Sequence, residues 1–182
     1  MAIKATIFKV ELNISDIDRN YFRDHKITIA RHPSENDVRM MARLMAFILN
    51  AHDDLQFTQG VSSGDEPDLW RKDLTGNIEV WIETGQPDEK QIRKACGRAK
   101  EVIVYAYSGN SAYAWWKKIH SSVVRFRNLS VINLPTEVMQ EMAALAQRTM
   151  DFSCTIQEGE VWISGQDKTV KICPVIWKER GK

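Results

Sequence analysis

"EPDLWRKDLTGNIEVWIETG", residues 66–85, predicts the centre of the fold: a strand near residues 68–72, a turn at 75–77, and a second strand ending near Glu83. The segment places five carboxylates within eighteen residues: Glu66, Asp68, Asp73, Glu79 and Glu83. Two of them interrupt the apolar pattern of the second strand. A carboxylate in an apolar strand costs free energy unless it is exposed, paired or bound to a cation. The segment therefore predicts either a solvated sheet face or a charged site.

The two strands suggest which carboxylates would meet. Side chains alternate along a strand, so Glu79, Trp81 and Glu83 share one face of NIEVWIE. A hairpin turning near residues 73–77 would bring the carboxyl of Asp68 beside that of Glu79. Two adjacent carboxylates repel unless one is protonated or a divalent cation lies between them. Oxygen ligands of this kind suit Mg²⁺ or Mn²⁺, so Asp68 and Glu79 form a candidate metal site.

A second interpretation of the same strand stays open. An antiparallel sheet can expose one face to water, and Glu79 and Glu83 would then be solvent-facing residues of that face. Trp81, between them, favours a partly covered face, although a tryptophan also packs across an exposed sheet surface. The alternation alone does not choose between the two.

Length and composition limit the classes of protein to consider. The chain has 182 residues, of which 43% are hydrophobic, and we predict a single domain over residues 1–182 with a substantial core. The net charge of +1 shows no overall basicity, so any nucleic-acid surface would be a local patch. We find no signal peptide and no apolar run long enough for a membrane span. The three cysteines, Cys96, Cys154 and Cys173, fit reduced thiols in a cytoplasmic protein.

The pattern of periodicities predicts an α/β fold. Alternating residues at the N-terminus form a long hairpin, helices then alternate with strands through the middle, and three antiparallel strands close the chain. The predicted order is β-β-α-β-β-β-α-β-α-β-α-β-β-β. This order indicates a mixed β-sheet flanked by helices, with an added N-terminal hairpin and a C-terminal antiparallel section.

The sequence also resembles a known family. The block EPDLWRKDLTGNIEVWIETGQPDEKQIRKACGRA, the opening ATIFKVELNISDIDRNYF and the length are all similar to the YaeQ family of bacterial proteins. The resemblance covers essentially the whole chain. It implies a variant of the PD-(D/E)xK nuclease-like superfamily, with a restriction-endonuclease-like core. Related phosphodiesterases hydrolyse nucleic-acid phosphodiesters with the help of magnesium.

The resemblance assigns roles to particular residues. Pro67 and Asp68 match the Pro-Asp pair and Glu79 matches the second acid, which makes Asp68 and Glu79 catalytic metal ligands for Mg²⁺ or Mn²⁺. The lysine expected two positions later is replaced by Trp81, a departure that leaves activity open. Glu83, Trp81 and Gln91 would then support the site around the metal ligands.

Three lysines on neighbouring elements are candidates for the missing lysine: Lys72, Lys90 and Lys94. Lys90 and Lys94 are four residues apart on one face of the predicted helix that follows the strand. That face either aims a cation at the carboxylates or is simply solvated. Glu35, near the start of the first long helix, is either a further acid at the metal or a residue that interacts favourably with the helix dipole; we favour the second.

A mixed aromatic and basic segment offers a nucleic-acid surface. In YAWWKKIHSSVVRFR, residues 113–127, aromatic rings would stack on bases while Lys117 and Lys118 contact phosphates, with Lys72 as a further contact. The alternative is that the rings pack in the core and the cations face water. The leading functional hypothesis is a divalent-metal-dependent nuclease or related phosphodiesterase acting on nucleic acid. The second is a non-catalytic nucleic-acid-binding or protein-interaction module on a nuclease-like scaffold.

Overall fold

A computed structural model describes residues 4–59 and 65–182 of the chain. The N-terminal half of the described chain holds five strands and one helix: β1 (Thr6–Asp16), β2 (Tyr21–Arg31), α1 (Asp37–Leu49), β3 (Leu55–Phe57), β4 (Leu69–Lys72) and β5 (Ile78–Thr84). The C-terminal half holds three helices and six strands: α2 (Glu89–Arg98), β6 (Ala99–Ala106), α3 (Asn110–Val123), β7 (Leu129–Asn133), α4 (Thr136–Ala144), β8 (Thr149–Gln157), β9 (Glu160–Gly165), β10 (Lys168–Ile172) and β11 (Val175–Lys178). The predicted α/β class is confirmed.

The strands form two mixed sheets rather than the predicted one. A six-stranded sheet has the order β11-β7-β6-β5-β4-β3, and a five-stranded sheet has the order β10-β9-β8-β1-β2. The N-terminal hairpin and three C-terminal strands therefore belong together, because β1 pairs in parallel with β8 from Lys9–Thr149 onward. Sequence alternation predicted the strands but not the partner of β1, since that pairing joins segments far apart in the chain.

The helices form two layers around the six-stranded sheet. Helices α1 and α4 contribute to one core cluster together with side chains from both sheets, while α2 and α3 contribute to a second cluster on the other face of the six-stranded sheet. Most residues of α1 are buried, as expected for the helix DVRMMARLMAFIL, which is apolar around most of its circumference. Helix α1 packs against β4 and β5.

A tight turn sets the register of the central hairpin. The carboxylate of Asp73 accepts hydrogen bonds from the backbone N–H groups of Thr75 and Asn77, each at 2.9 Å, and Gly76 has the positive φ of 88° that the turn requires. The side chains of Asn77 and Thr75 also donate to Asp73, and these bonds lower its pKa. The strands then pair from Lys72–Ile78 to Leu69–Ile82, with an irregularity after Arg71. The predicted turn is confirmed, and its register decides which carboxylates meet.

None of the helices in the described part of the chain is both long and apolar enough to cross a membrane.

Candidate active site

Asp68 and Glu83 are the two carboxylates that the central hairpin brings together. Leu69 pairs with Ile82, and the backbone N–H of Asp68 donates to the carbonyl oxygen of Ile82 at 3.0 Å. Asp68, which precedes Leu69, therefore lies opposite Glu83, which follows Ile82. Both line a cleft of about 160 Å³ at the end of β5. The cleft is formed by Arg39, Glu66, Pro67, Asp68, Glu83, Thr84, Gln86, Pro87 and Gln91.

The side chain of Asp68 is buried and held by three donors. Its Oδ2 accepts hydrogen bonds from the backbone N–H and the hydroxyl of Thr84, at 2.7 and 2.8 Å. Its Oδ1 accepts from Nη2 of Arg39 at 2.9 Å. Only 3% of the residue is exposed. Burial without these partners would be costly, so the two contacts fix the carboxylate in one orientation.

Glu83 has a different environment from Asp68. Its Oε1 accepts one hydrogen bond, from the indole Nε1 of Trp81 at 2.9 Å. Burial raises the pKa of Glu83 to about 7 and the nearby charge of Asp68 adds to that rise, whereas the Trp81 bond and the charge of Arg39 oppose it. A carboxyl with this pKa lacks a sufficient positive partner, and a bound cation would supply one.

The prediction that Asp68 and Glu79 share a cation is wrong. Glu79 precedes Glu83 by four residues on the same strand, which separates the two positions by roughly 13 Å. It forms ion pairs with Lys100 and, at 3.8 Å, with Arg71, and it lines a separate surface depression with Lys72. Alternation correctly placed Glu79 and Glu83 on one face, but the register puts Asp68 beside the second of them.

This register changes the interpretation of Trp81, which replaces the lysine expected two positions after Glu79. Trp81 is buried and packs edge-on against Trp70, with ring centroids 6.3 Å apart. The guanidinium carbon of Arg98 lies 5.2 Å from the ring centroid of Trp81. Counted from Glu83 instead of Glu79, the lysine position of the resemblance falls on Gly85. A Cβ atom at Gly85 would lie 3.6 Å from Nη1 of Arg39. The cation nearest this position therefore comes from α1.

The three lysine candidates lie outside the cleft. Lys94 forms an ion pair with Asp65, Lys90 is exposed on α2, and the ammonium of Lys72 lies 3.5 Å from the ring centroid of Trp70. Within the ranges that the structure describes, the residues lining the cleft include no lysine. The structure thus brings none of the three to Asp68 and Glu83.

Gln91 lines the cleft together with Asp68 and Glu83. It completes the cap of α2: its backbone N–H donates to Asp88 Oδ1 at 2.7 Å, and its Oε1 accepts from the backbone N–H of Asp88 at 2.8 Å. These bonds fix the amide at the edge of the cleft. Among the described residues, no partner is recorded for its NH₂ group, which can therefore donate to a ligand.

Arg39 is the site residue that sequence reasoning missed. Besides Asp68, it donates from Nη1 to the carbonyl oxygen of Thr84 at 3.2 Å, and its Nε lies 3.6 Å from Oε1 of Glu35. Glu35 is itself bound by Arg43, at 2.7 and 2.8 Å. Glu35 precedes the N-cap residue Asn36 of α1, and its carboxylate forms ion pairs with both Arg39 and Arg43.

A signal for this network exists in the sequence. Arg39 and Arg43 are four residues apart in a helix that is otherwise strongly apolar, and Arg43 is fully buried. A buried guanidinium requires an acidic partner. The two arginines thus predict buried carboxylates near α1, which the structure identifies as Glu35 and Asp68.

The donor set fits a divalent cation only in part. Among the described residues, no group of three or more histidine, cysteine, aspartate or glutamate side chains is arranged to hold a metal ion. Asp68 and Glu83 supply two carboxylates. Oδ2 of Asp68 already accepts two hydrogen bonds, so the lone pairs left for a metal lie on Oδ1 of Asp68 and on Glu83. Mg²⁺ commonly binds through one or two protein carboxylates with water and substrate oxygens completing its shell, so two are sufficient.

The predicted nucleic-acid contacts are exposed, while the aromatic rings mostly pack on one another. Lys117 and Lys118 project from α3 into solvent. Trp116 stacks on Trp177 with ring centroids 5.9 Å apart, and Nε1 of Trp115 donates to the carbonyl oxygen of Pro87 at 2.8 Å. The latter bond connects α3 to the rim of the cleft, because Pro87 lines it.

These features define the class of the protein: an α/β fold of two mixed sheets with helices, carrying a two-carboxylate cleft at its central hairpin. The chain belongs to the YaeQ family, since the family model described as "YaeQ protein" matches residues 1–174. A protein of Escherichia coli (strain K12) with the name "Uncharacterized protein YaeQ" is 43% identical over 179 residues, covering 98% of this chain and 99% of the relative. The protein of that name from Salmonella typhi gives the same identity and coverage.

Solved structures show the same fold. The crystal structure of YaeQ protein from Xanthomonas axonopodis pv. citri is similar with a TM-score of 0.93 and 46% identity, covering 96% of this chain and 98% of that one. The crystal structure of YaeQ protein from Pseudomonas syringae has a TM-score of 0.92 at 30% identity, covering 98% of each chain. The two-sheet architecture is therefore common to these proteins.

Proposed function

We propose that the protein is a divalent-metal-dependent phosphodiesterase that acts on nucleic acid. The observation that carries this proposal is the placement of Glu83 beside Asp68 in a polar cleft, with its pKa raised to about 7. Strongly perturbed carboxyls in clefts are typical of functional sites. Two acids placed side by side repel unless a proton or a cation lies between them. In this proposal Asp68 and Glu83, not Glu79, hold Mg²⁺ or Mn²⁺.

The protein's own residues prepare the site in distinct ways. Thr84 and Arg39 hold Asp68 rigidly, and Trp81 orients Glu83 from below. A bound Mg²⁺ or Mn²⁺ would stabilise the negative charge that develops on a phosphate and lower the pKa of a water molecule. Gln91 can donate a hydrogen bond to the substrate from the end of α2. The nuclease-like core of this proposal consists of α1, β3, β4, β5, α2 and β6.

Nucleic acid is the proposed substrate because exposed lysines lie on α3, which contacts the rim of the cleft, and on β4 of the central hairpin. Lys117 and Lys118 lie on α3, the helix joined to the cleft rim through Trp115. Lys72 is exposed at the far end of β4. Phosphate groups of a nucleic-acid strand that extends beyond the cleft would contact these lysines.

A specific observation favours the alternative of a non-catalytic binding module on a nuclease-like scaffold. Both oxygens of Asp68 already accept hydrogen bonds, from Arg39 and Thr84. An aspartate bound in this way is also a stable structural ion pair. In that case the cleft would bind a partner and the raised pKa of Glu83 would be relieved by that partner instead of a metal.

Calorimetry and a cleavage assay on the wild-type protein distinguish the two. We expect Mn²⁺ and Mg²⁺ to bind at one or two sites and to support hydrolysis of at least one member of a panel of single- and double-stranded DNA and RNA. Chelation with EDTA should abolish the hydrolysis. The absence of both metal binding and cleavage would replace the enzyme with the binding module.

A further inference from the structure

Arg39 contacts two acids, Glu35 and Asp68, and also lines the cleft. Its Nη2 bonds Asp68 at 2.9 Å, its Nε lies 3.6 Å from Glu35, and 31% of its side chain is exposed. A guanidinium has five N–H donors in a planar fork. Its Nη1 also donates to the carbonyl oxygen of Thr84 at 3.2 Å, and Tyr107 interacts with the guanidinium. A ligand in the cleft that Arg39 lines would therefore bind mainly by exchange with these partners.

Glu35 gives Arg39 a second anchor. Arg43, itself fully buried, fixes both oxygens of Glu35, so Glu35 cannot follow Arg39 into the cleft. If the Nη2 bond to Asp68 and the Nη1 bond to the carbonyl oxygen of Thr84 open, Nε can keep its contact with Glu35 while the outer nitrogens turn. The movement needs only rotation of the Arg39 side chain, because its backbone stays in α1 and its Nε stays near Glu35.

Gly85 keeps the path of that movement open. A Cβ atom at this position would already touch Nη1 of Arg39 at 3.6 Å, and a longer side chain would cover the guanidinium. The φ of Gly85 is +105°, a backbone conformation that side-chain-bearing residues rarely adopt. The strand end therefore places no side chain of its own against Nη1 of Arg39.

We infer that Arg39 is the phosphate-binding residue of the cleft, and that it reaches a phosphate oxygen by exchanging its bond with Asp68. Arginine binds phosphate through two parallel N–H bonds, which replace the bonds of Nη2 to Asp68 and of Nη1 to the carbonyl oxygen of Thr84. The exchange frees Oδ1 of Asp68 for a divalent cation. Anion binding and metal binding then strengthen one another, because each favours the opened arrangement. The inference rests on the proposed function, since it concerns the same metal site.

The test measures the coupling between phosphate binding and metal binding, and it does not require catalytic turnover. Calorimetry follows Mn²⁺ binding to the full chain with and without dimethyl phosphate, a phosphodiester anion, and with trimethyl phosphate as a neutral control. We expect dimethyl phosphate to raise the Mn²⁺ affinity of the wild type by about fivefold or more, and trimethyl phosphate to have no effect. Arg39→Ala should bind Mn²⁺ more tightly than the wild type when no anion is present, and should lose most of the coupling.

A matched variant and a spectroscopic readout separate this exchange from a general charge effect. Arg71→Ala removes one equally exposed arginine that pairs with Glu79 outside the cleft, and it should keep the coupling of the wild type. Arg39→Lys, which keeps the charge but not the fork, should show reduced coupling. In nitrogen-edited NMR spectra, dimethyl phosphate should shift the Nε–H signal of Arg39 and the amide of Thr84, which donates to Asp68.

Each outcome has a definite meaning. Mn²⁺ binding that dimethyl phosphate does not strengthen, coupling that persists unchanged in Arg39→Ala, or an unmoved Arg39 signal would overturn the inference and leave the proposed metal site standing. If no Mn²⁺ binds under any of these conditions, both the inference and the proposed metal site fail.

Discussion

The indole Nε1 of Trp81 donates a 2.9 Å hydrogen bond to Oε1 of Glu83, two residues further along β5. Trp81 occupies the lysine position when the motif is counted from Glu79, and this is why the sequence left catalysis in doubt. In the structure Trp81 instead supports the acid that stands beside Asp68. In the proposed metal site the second acid is therefore Glu83, four residues further along the strand than Glu79.

Glu83→Gln and Glu79→Gln should behave differently although they change the same chemistry on the same strand face. We expect Glu83→Gln to reduce Mn²⁺ affinity and any hydrolysis by roughly 10²-fold or more, because even residues around a metal ligand contribute about 10- to 100-fold. Glu79→Gln should remain close to the wild type. Calorimetry and single-turnover cleavage provide the comparison, and equal losses in both variants would contradict the assignment.

The stability of the protein should fall with rising pH because of Glu83. Its pKa is about 7 in the folded protein, against an ordinary value of 4.5, so the folded state keeps a proton that the unfolded state has lost. The contribution is complete below about pH 4.5 and disappears as the pH rises through about 7. We expect the free energy of unfolding of the wild type, relative to Glu83→Gln, to drop by about 2 kcal/mol between about pH 5 and about pH 8.

Chemical denaturation of both proteins at several pH values measures this difference. The comparison matters because burial lowers the pKa of His25, whose titration changes stability in the opposite direction over part of the range. That effect is present in both proteins and cancels. A difference that does not change with pH would show that Glu83 has an ordinary pKa.

Removing the indole donor should raise the pKa of Glu83 further. Trp81→Phe retains an aromatic ring against Trp70 but loses the N–H that favours the charged carboxylate. We expect an increase of about one pKa unit, corresponding to a hydrogen bond of about 1.4 kcal/mol to a charged group. Carbon-detected NMR titration of the Glu83 carboxyl measures it. Trp70→Phe, which removes an indole on the neighbouring strand, is the matched control and should leave the pKa unchanged.

Nucleic-acid binding should depend steeply on salt through the exposed lysines. Lys117→Ala with Lys118→Ala should reduce the slope of log affinity against log salt by about two, since each phosphate contact contributes about one. Lys168→Ala and Lys171→Ala, on β10 of the other sheet, are the control for total charge. Fluorescence anisotropy at several salt concentrations gives the slopes, and identical slopes for the two double variants would place the binding surface elsewhere.

The ion pair between Arg43 and Glu35 should be costly to break from one side. Arg43→Ala leaves Glu35 buried without its main partner, and we expect a loss of about 3–5 kcal/mol of folding free energy. The double variant Arg43→Met with Glu35→Gln should be less destabilised than Arg43→Ala, because it leaves no unpaired buried charge. Urea denaturation tests both, and a larger loss in the double variant would mean that the pair itself supplies the stability.

Local patterns in the sequence determined most of the individual elements. The turn at residues 73–77 follows from Asp73, Gly76 and Asn77, whose backbone and side-chain hydrogen bonds are all local. The helix α1 follows from its apolar residues, and the strands β1 and β5 follow from alternation. Each of these elements depends on residues within one turn, one helix or one strand, so neighbouring residues in the sequence are enough to predict it.

The identity of the second acid could not come from the same patterns. Glu79 and Glu83 are four residues apart, and a period of two places both on one face with equal weight. Only the register of β4 against β5, with its irregularity after Arg71, brings Asp68 to Glu83. Register depends on contacts across strands, which alternation within one strand does not record.

The contact between Arg39 and Asp68 joins residues that are even further apart in the sequence. The sequence itself determined that two arginines interrupt the apolar helix α1 and that Asp68 follows a proline near the central hairpin. Only the packing of α1 against β4 and β5 decided that Arg39 meets Asp68, and only the pairing of β1 with β8 decided that the chain forms two sheets. Hydrogen bonding and burial constrain each segment locally, whereas the meeting of distant segments is decided by how all of the buried surfaces fit together at once.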